Sequence, residues 1–368
     1  MISTLDQLIL DVAAAEAPGA KTVAILDDPA ASLLRAALDS AEQVWVASRT
    51  VMQAREAEQV ARELGARDRV RIAGVDGALR LDEFFAQGVD VALGRTPKSL
   101  EEVSYLAGSV PAGAFVLGAN NKHMDRGHNA TLARYFDDVH ASHGRGKFRC
   151  LIGAGRTGRA YEPAERESEV GKIVGVGGVF AGADVDHGGQ MLADTALAEL
   201  RAERRTAKLA ANPWDSWEAP KRVDTGLDVV DLGCGNGSVA RAVLTALPEA
   251  AVLATDAHAD AVVSCTLTLA DFGDRARVTW DDAAGQEPVG SADIVLLNPP
   301  FHAGTALDAT LVQDLLDAAA RLLRPGGRLY MVHNNHLRYR PEVERRVGRT
   351  RQLARNAKFT VLRADAPA

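Results

Sequence analysis

Three cysteines in 368 residues, Cys150, Cys234 and Cys265, are too few and too widely spaced for a disulfide framework or a zinc site. Their scarcity fits a reducing cytoplasm and gives no reason to expect a metal. Aromatic residues make up only 5% of the chain, and 42 Lys and Arg face 49 Asp and Glu, a net charge of −7. Nucleic-acid binders usually carry a basic surplus, so any surface for RNA or DNA must be a local patch on an acidic body. No apolar run is long enough to suggest a membrane span. The opening stretch, MISTLDQLILDVAAAEAPGA, carries Asp6 and Asp11 and no basic cluster, which argues against a secretory signal. What remains is the composition of an ordinary globular chain, 47% hydrophobic and 25% charged, with length enough for two domains that each bury a core.

Glycine is not scarce, and its placement is informative. Leu227 to Ala240 reads LDVVDLGCGNGSVA. An apolar run ends at Asp231, glycines follow at the alternate positions 233, 235 and 237, and apolar residues return at helical spacing (Val239, Ala240, Val243, Leu244). The pattern is a buried strand, a tight turn and the start of a helix, with a turn that lets a ligand lie against bare backbone. Alone it leaves the ligand open, since such turns serve several nucleotides.

Strands and helices alternate along both halves, which implies an α/β fold with mostly parallel sheets covered on both faces. In the first half, strands are expected at 21–28, 43–48, 70–74, 89–94 and 114–120, and helices at 3–15, 31–38, 51–65 and 98–108. From 141 to 181 the pattern loosens into a strand pair and connecting loops. GAGRTG (153–158) leads into RAYEPAERE rather than an apolar helix face, so it is not a dinucleotide loop. In the second half, a helix is expected at 191–209 and a linker or insertion at 211–226. After the glycine turn come strands at 251–256, 276–282, 291–301 and 328–334, helices at 258–273 and 307–327, and a terminal hairpin of 350–355 and 358–364. VAILDDPAASLLRAAL sits where VVDLGCGNGSVARAVL sits in the second half, and VDVALGRTPKSLEEV parallels ADIVLLNPPFHAG. These echoes suggest a duplicated fold whose first copy lost its glycines.

Ligands of such sheets sit at the carboxyl ends of the strands. Asp256 ends the strand after the glycine turn, where a carboxylate can accept both ribose hydroxyls of an adenosine. Asp281 and Asp282 end the next strand, and either can face an adenine amino group. Asn298-Pro299-Pro300-Phe301 ends the fourth. Its prolines restrict the backbone and remove two amide hydrogens. The Asn298 side-chain oxygen and nearby carbonyls can then accept hydrogen bonds from a planar NH₂ group, and Phe301 offers a face for stacking.

Together these residues resemble the class I S-adenosylmethionine-dependent methyltransferases that act on an amino nitrogen. More narrowly, NPPFH (298–302), GVFAGADVDHGGQMLAD (178–194), the tail from His333 to Ala364, and GRTPKSLEEVSYLAG with VLGANNKHMDRGHNATLARYF in the first half resemble the bacterial ribosomal RNA guanine-N2 methyltransferases. The likeness to the large-subunit enzyme is the stronger. The resemblance implies two tandem Rossmann-like methyltransferase domains, a degenerate one over 1–170 for substrate recognition and a catalytic one over 171–368. It implies S-adenosylmethionine on Asp231, Gly233, Cys234, Gly235, Asn236, Gly237, Asp256, Ala257, Asn298 and Asp281 or Asp282, with Phe180, Asp186 and Gly188 covering its methionine end. Asn298, Pro299, Pro300 and Phe301 would hold guanine, and ribosomal RNA or a ribosomal subunit intermediate would be the partner. Lys98, Lys122, His123, Arg126, Arg338 and Arg340 are candidate RNA contacts, and His302 a candidate pocket residue. The competing readings are another planar-amine methyltransferase (protein glutamine or DNA adenine) and a non-catalytic RNA-binding assembly factor. Tyrosine is usual at the position of Phe301 in the former, and the intact motifs speak against the latter.

Overall fold

The computed structural model describes residues 2–210, 226–300 and 306–368. They form two compact units. The first is Met1–Ala164 with Gly175–Gly182 and His258–Val263; the second is Glu165–Val174 with Ala183–Ala257 and Ser264–Ala368.

The first unit contains α1 (Thr4–Glu16), β1 (Thr22–Leu26), α2 (Ser32–Ala37), β2 (Gln43–Ala47), α3 (Val51–Glu63), β3 (Val70–Ile72), α4 (Leu81–Phe84), β4 (Val89–Arg95), α5 (Leu100–Ser109), β5 (Ala112–Asn120), α6 (Arg126–Leu132), β6 (Phe136–Ala141) and β7 (Phe148–Arg156). Strands β8 (Ala164–Ser168) and β9 (Gly171–Gly175) form a separate two-stranded sheet. In the second half come α7 (His187–Ala210), β10 (Leu227–Leu232), α8 (Ser238–Ala246), β11 (Ala250–Asp256), α9 (Ala259–Thr268), β12 (Ala276–Trp280), β13 (Ala292–Leu297), α10 (Ala306–Leu322), β14 (Leu323–Asn334), α11 (Arg340–Arg346), β15 (Arg349–Arg355) and β16 (Phe359–Asp365).

The seven-stranded sheets have one topology. The first runs β3-β2-β1-β4-β5-β7-β6 and the second β12-β11-β10-β13-β14-β16-β15. Renumbered within each half, both read 3-2-1-4-5-7-6, parallel apart from the seventh strand of each half, which pairs antiparallel with its neighbours. The faint sequence echo is therefore a repeat of the whole fold.

The second sheet shows why its strands read as unbroken apolar runs: both faces are covered. Successive side chains on β10 and β13 alternate between two cores. Val229, Ile294 and Leu296 join Leu192 of α7 and Val239, Val243 and Leu244 of α8, while Val230, Leu232, Val295 and Leu297 join Val312, Leu316 and Leu322 of α10. Cys265 packs into the first core, where its Sγ would lie 2.9 Å from a Cβ at residue 237. Gly237 also has φ 81°, so it is glycine for space and for backbone together.

The structure departs from expectation in a few places. Strand β6 was not anticipated, because FDDVHA buries only Phe136 and shows no apolar alternation. Helix α7 begins four residues before Met191, through His187-Gly188-Gly189, since an Asp at its entrance caps glycines that disfavour helix by propensity. Strand β14 starts at Leu323 and carries Arg324 to Gly327 as strand, where a glycine exit from the helix was expected. The segment 211–225 lies outside the described residues, as do Phe301 and His302.

Asp231 stands on β10 with its side chain 2% exposed, accepting the Ala240 amide at 3.1 Å. Burial raises its pKa to about 7, opposed by that amide and reinforced by Asp256. A carboxyl titrating higher in the folded chain than in the unfolded one (about 3.9) binds more protons when folded between those values, so stability falls as pH rises through that window. The ceiling is about 1.4 kcal/mol per pH unit for one group. Asp231→Asn should therefore flatten the decline in melting temperature between pH 5 and pH 7, measured by thermal unfolding across that range.

Candidate active site at the strand ends of the second unit

Register assembles the site. Leu232 of β10 is paired with Leu297 of β13 on one side and Thr255 of β11 on the other, and Asp256 is paired with Trp280 of β12. Gly233, Asp256 and Asn298 therefore leave neighbouring strands at one level, with Asp281 one residue further on, each strand about 4.8 Å from the next. Residues separated by up to 65 positions in sequence become one row because the strands are parallel and end together.

The glycine turn is a backbone cradle. Gly233 and Gly235 have φ of 80° and 51°, and a Cβ on either would meet nothing within 4 Å. Their surface is open, and a side chain there would fill it while straining the backbone. The turn is fixed from beneath: the Gly233 and Cys234 amides donate to the Thr255 carbonyl at 2.9 and 3.0 Å. The Gly235 amide donates to Asp256 Oδ2 at 3.1 Å. A carboxylate has two oxygens that can each accept more than one donor. A bare glycine turn with a carboxylate at the next strand end fits the adenosyl part of S-adenosylmethionine.

Other expected residues also make contacts within the fold. Asn236 is buried, its Nδ2 donating to the Asp184 carbonyl at 2.8 Å and its Oδ1 accepting the Ser238 amide at 3.2 Å. It ties the turn to the segment before α7. Cys234 is buried against Cys265, and that contact together with burial pushes its thiol pKa well up, so it stays a neutral packing group. Ala257 accepts the Trp280 indole N–H at 2.9 Å, closing the ends of β11 and β12. Asp281 is 4% exposed and accepts the Asp282 and Gln286 amides, each at 2.8 Å. It shapes its loop, in which Ala283 and Ala284 both adopt positive φ, whereas Asp282 is exposed.

At the end of β13, Asn298 Nδ2 donates to Asp186 Oδ2 at 2.9 Å, and the Gly189 amide donates to the same oxygen at 2.8 Å. Asn298 Oδ1 is buried and has no hydrogen-bond partner among the described residues. Pro299 is buried and Pro300 exposed. The structure thus brings Asp186, Gly188 and Asn298 together, a contact invisible to sequence spacing; its only trace was a pair of glycines opening a long helix. Phe180 belongs to the first unit and is 63% exposed. Of the proposed RNA contacts, Lys98, Lys122, His123 and Arg126 lie exposed on the first unit and Arg338 on the second, while Arg340 is engaged with Glu344 and the Thr350 carbonyl.

The matching strand ends of the first unit are filled by their own side chains. Asp28 accepts the amides of Ser32, Leu33 and Leu34 where the glycine turn would be. At the end of β4, Arg95 forms a two-nitrogen contact with Asp6, itself 2% exposed.

Comparison with known proteins agrees with this geometry. Residues 220–363 match the family model described as methyltransferase small domain. A Streptomyces avermitilis protein named ribosomal RNA large subunit methyltransferase G is 32% identical over 87% of this chain and 84% of its own length. One of the same name from Alcanivorax borkumensis is 31% identical over 76% of this chain and 68% of its own. Among solved structures, a T. thermophilus 16S ribosomal RNA N2 methyltransferase in complex with AdoMet and guanosine superposes with a TM-score of 0.67, covering 99% of this chain and 92% of that one at 18% identity, which shows the shared tandem fold. With relatives above 30% identity along most of both chains, the chain belongs to the bacterial ribosomal RNA (guanine-N2)-methyltransferase family.

Proposed function

We propose that the chain methylates the exocyclic N2 amine of a guanine in ribosomal RNA, with the reaction at the strand ends of the second unit. The observation that carries this reading is the Asn298 amide: a buried acceptor without a partner among the described residues, one strand from a bare glycine turn. A buried oxygen left unpaired costs about 1–3 kcal/mol, a cost that an incoming N–H removes. An amine with two N–H groups matches Asn298 Oδ1 together with the Pro299 carbonyl.

Gly233 and Gly235 would take the adenosyl moiety against backbone, Asp256 the ribose hydroxyls, and the loop held by Asp281 the adenine end. S-adenosylmethionine bound there supplies an electrophilic methyl group on a sulfonium. Asn298 and Pro299 hold the amine so that its lone pair is directed across the neighbouring strand end toward the glycine turn. The two acceptors draw on the N–H bonds and raise the electron density on nitrogen. No side chain need remove the proton first, since an amine that has gained a methyl group is acidic enough to lose it to solvent. The rate then comes mainly from orientation and exclusion of water. The guanine must be single-stranded or flipped to reach the site. Phe301 is proposed to stack on it. The first unit, its own strand ends filled, is proposed to hold RNA through Lys98, Lys122, His123 and Arg126.

Asn298→Ala should lower the turnover number by about 100-fold, the scale of a lost positioning contact, while calorimetric affinity for S-adenosylhomocysteine stays within a few-fold of wild type. Equal loss of both would contradict the role given to Asn298. Gly233→Ala places a methyl group in the cradle and should weaken S-adenosylhomocysteine binding by at least about tenfold, roughly 1.4 kcal/mol, with the far-ultraviolet circular dichroism unchanged. Mass mapping of ribosomal RNA from a deletion strain should show one N2-methylguanine lost; an unchanged map would refute the substrate assignment.

A further inference from the structure

The Asn298 amide works as an acceptor only if its oxygen, and not its nitrogen, faces the incoming amine. Nothing in Asn-Pro-Pro itself decides this, because an amide is nearly symmetric in shape. The deciding group lies 112 positions away in sequence. Asp186 Oδ2 sits 2.9 Å from Asn298 Nδ2, and a carboxylate only accepts. Turned over, the amide would set its oxygen against the carboxylate oxygen and lose a charge-assisted bond.

Asp186 is in turn held from a second direction. Its carbonyl accepts the Gln190 amide at 2.8 Å and its Oδ2 accepts the Gly189 amide at 2.8 Å, so it is the N-terminal cap of α7. The orientation of Asn298 is thereby referred to the start of a 24-residue helix rather than to a loop.

The two glycines that follow fit the same design. A Cβ at Gly189 would lie 2.9 Å from Val239 Cγ2 and 3.5 Å from Asn298 Nδ2. A Cβ at Gly188 would lie 3.0 Å from Asp186 Oδ2 and 3.3 Å from Asn298 Oδ1, the acceptor proposed for the amine. Neither glycine has positive φ, so backbone conformation does not require them; space does.

We propose that Asp186 is a positioning residue that fixes the Asn298 amide with its oxygen toward the substrate amine, and that Gly188 keeps the approach to that oxygen clear. The proposal rests on the reading of Asn298 as the amine acceptor. It assigns Asp186 to the guanine side of the reaction rather than to the methionine end of the cofactor.

The test uses the full chain, large-subunit ribosomal RNA transcribed in vitro, and S-adenosylhomocysteine titration. Asp186→Ser retains a capping oxygen but cannot reach Asn298; its turnover number should fall by at least about tenfold, with S-adenosylhomocysteine affinity within about threefold of wild type. Asp186→Asn keeps an acceptor and a cap and should restore most of the turnover. Gly188→Ala sets a methyl group 3.0 Å from Asp186 Oδ2 and 3.3 Å from Asn298 Oδ1 and should lower turnover, with the far-ultraviolet circular dichroism and S-adenosylhomocysteine affinity close to wild type. Wild-type turnover in Asp186→Ser or in Gly188→Ala overturns the proposal, as does a loss of cofactor affinity in Asp186→Ser matching its loss of turnover. If Asp186→Ser does not fold, Gly188→Ala decides alone. Asn298→Ala separates the two levels: if it turns over normally, the acceptor reading itself fails, whereas an inactive Asn298→Ala beside a fully active Asp186→Ser sinks only the positioning role.

Discussion

Parallel pairing of β11, β10 and β13 in one register is the constraint on which the site depends. Because Thr255, Leu232 and Leu297 lie level across three strands, the residues that follow them emerge side by side at one edge. The glycine turn, the acid at Asp256 and the amide at Asn298 each have a local reason for their shape. Only the register makes them neighbours. A slip of one residue in β13 would turn Asn298 to the other face of the sheet and send the Val295 and Leu297 side chains out of the core they share with α10. The hydrophobic alternation that builds the two cores is thus the same feature that aims the chemistry.

The two halves show how differently one strand order can end. Both sheets have the same strand order, yet the first fills its strand ends with Asp28 capping α2 and Arg95 bound to Asp6. These interactions stabilise the first unit by occupying the space and the amides that a cofactor would use. In the second half the corresponding turn is left bare, and its amides are satisfied by Thr255 and Asp256 from the adjacent strand. An open turn carries the conformational cost of glycine, and Gly233 and Gly235 leave its surface bare.

Several residues of the motif-rich turn also hold the fold together. Asn236 and Cys234, which stand among the glycines, are buried and engaged with Asp184, Ser238 and Cys265. Asp281 accepts the Asp282 and Gln286 amides of its own loop. A tight turn needs internal anchors as much as it needs an exposed face.

The repeated α/β pattern, the strand that leads into the glycine turn, the strand that ends at Asp256 and the glycine turn itself were legible in the chain, since each is set by local periodicity or by glycine conformation. So was the family, through motifs spread over most of its length. The sequence was silent on strand β6, whose residues bury only one side chain and therefore leave no periodic trace. It was silent also on the early start of α7, where two glycines argue against helix and are accepted because of what packs above them. The bond from Asn298 to Asp186 belongs wholly to tertiary structure. It joins two segments with no shared pattern, and its direction follows from a carboxylate that can only accept facing an amide that can do either.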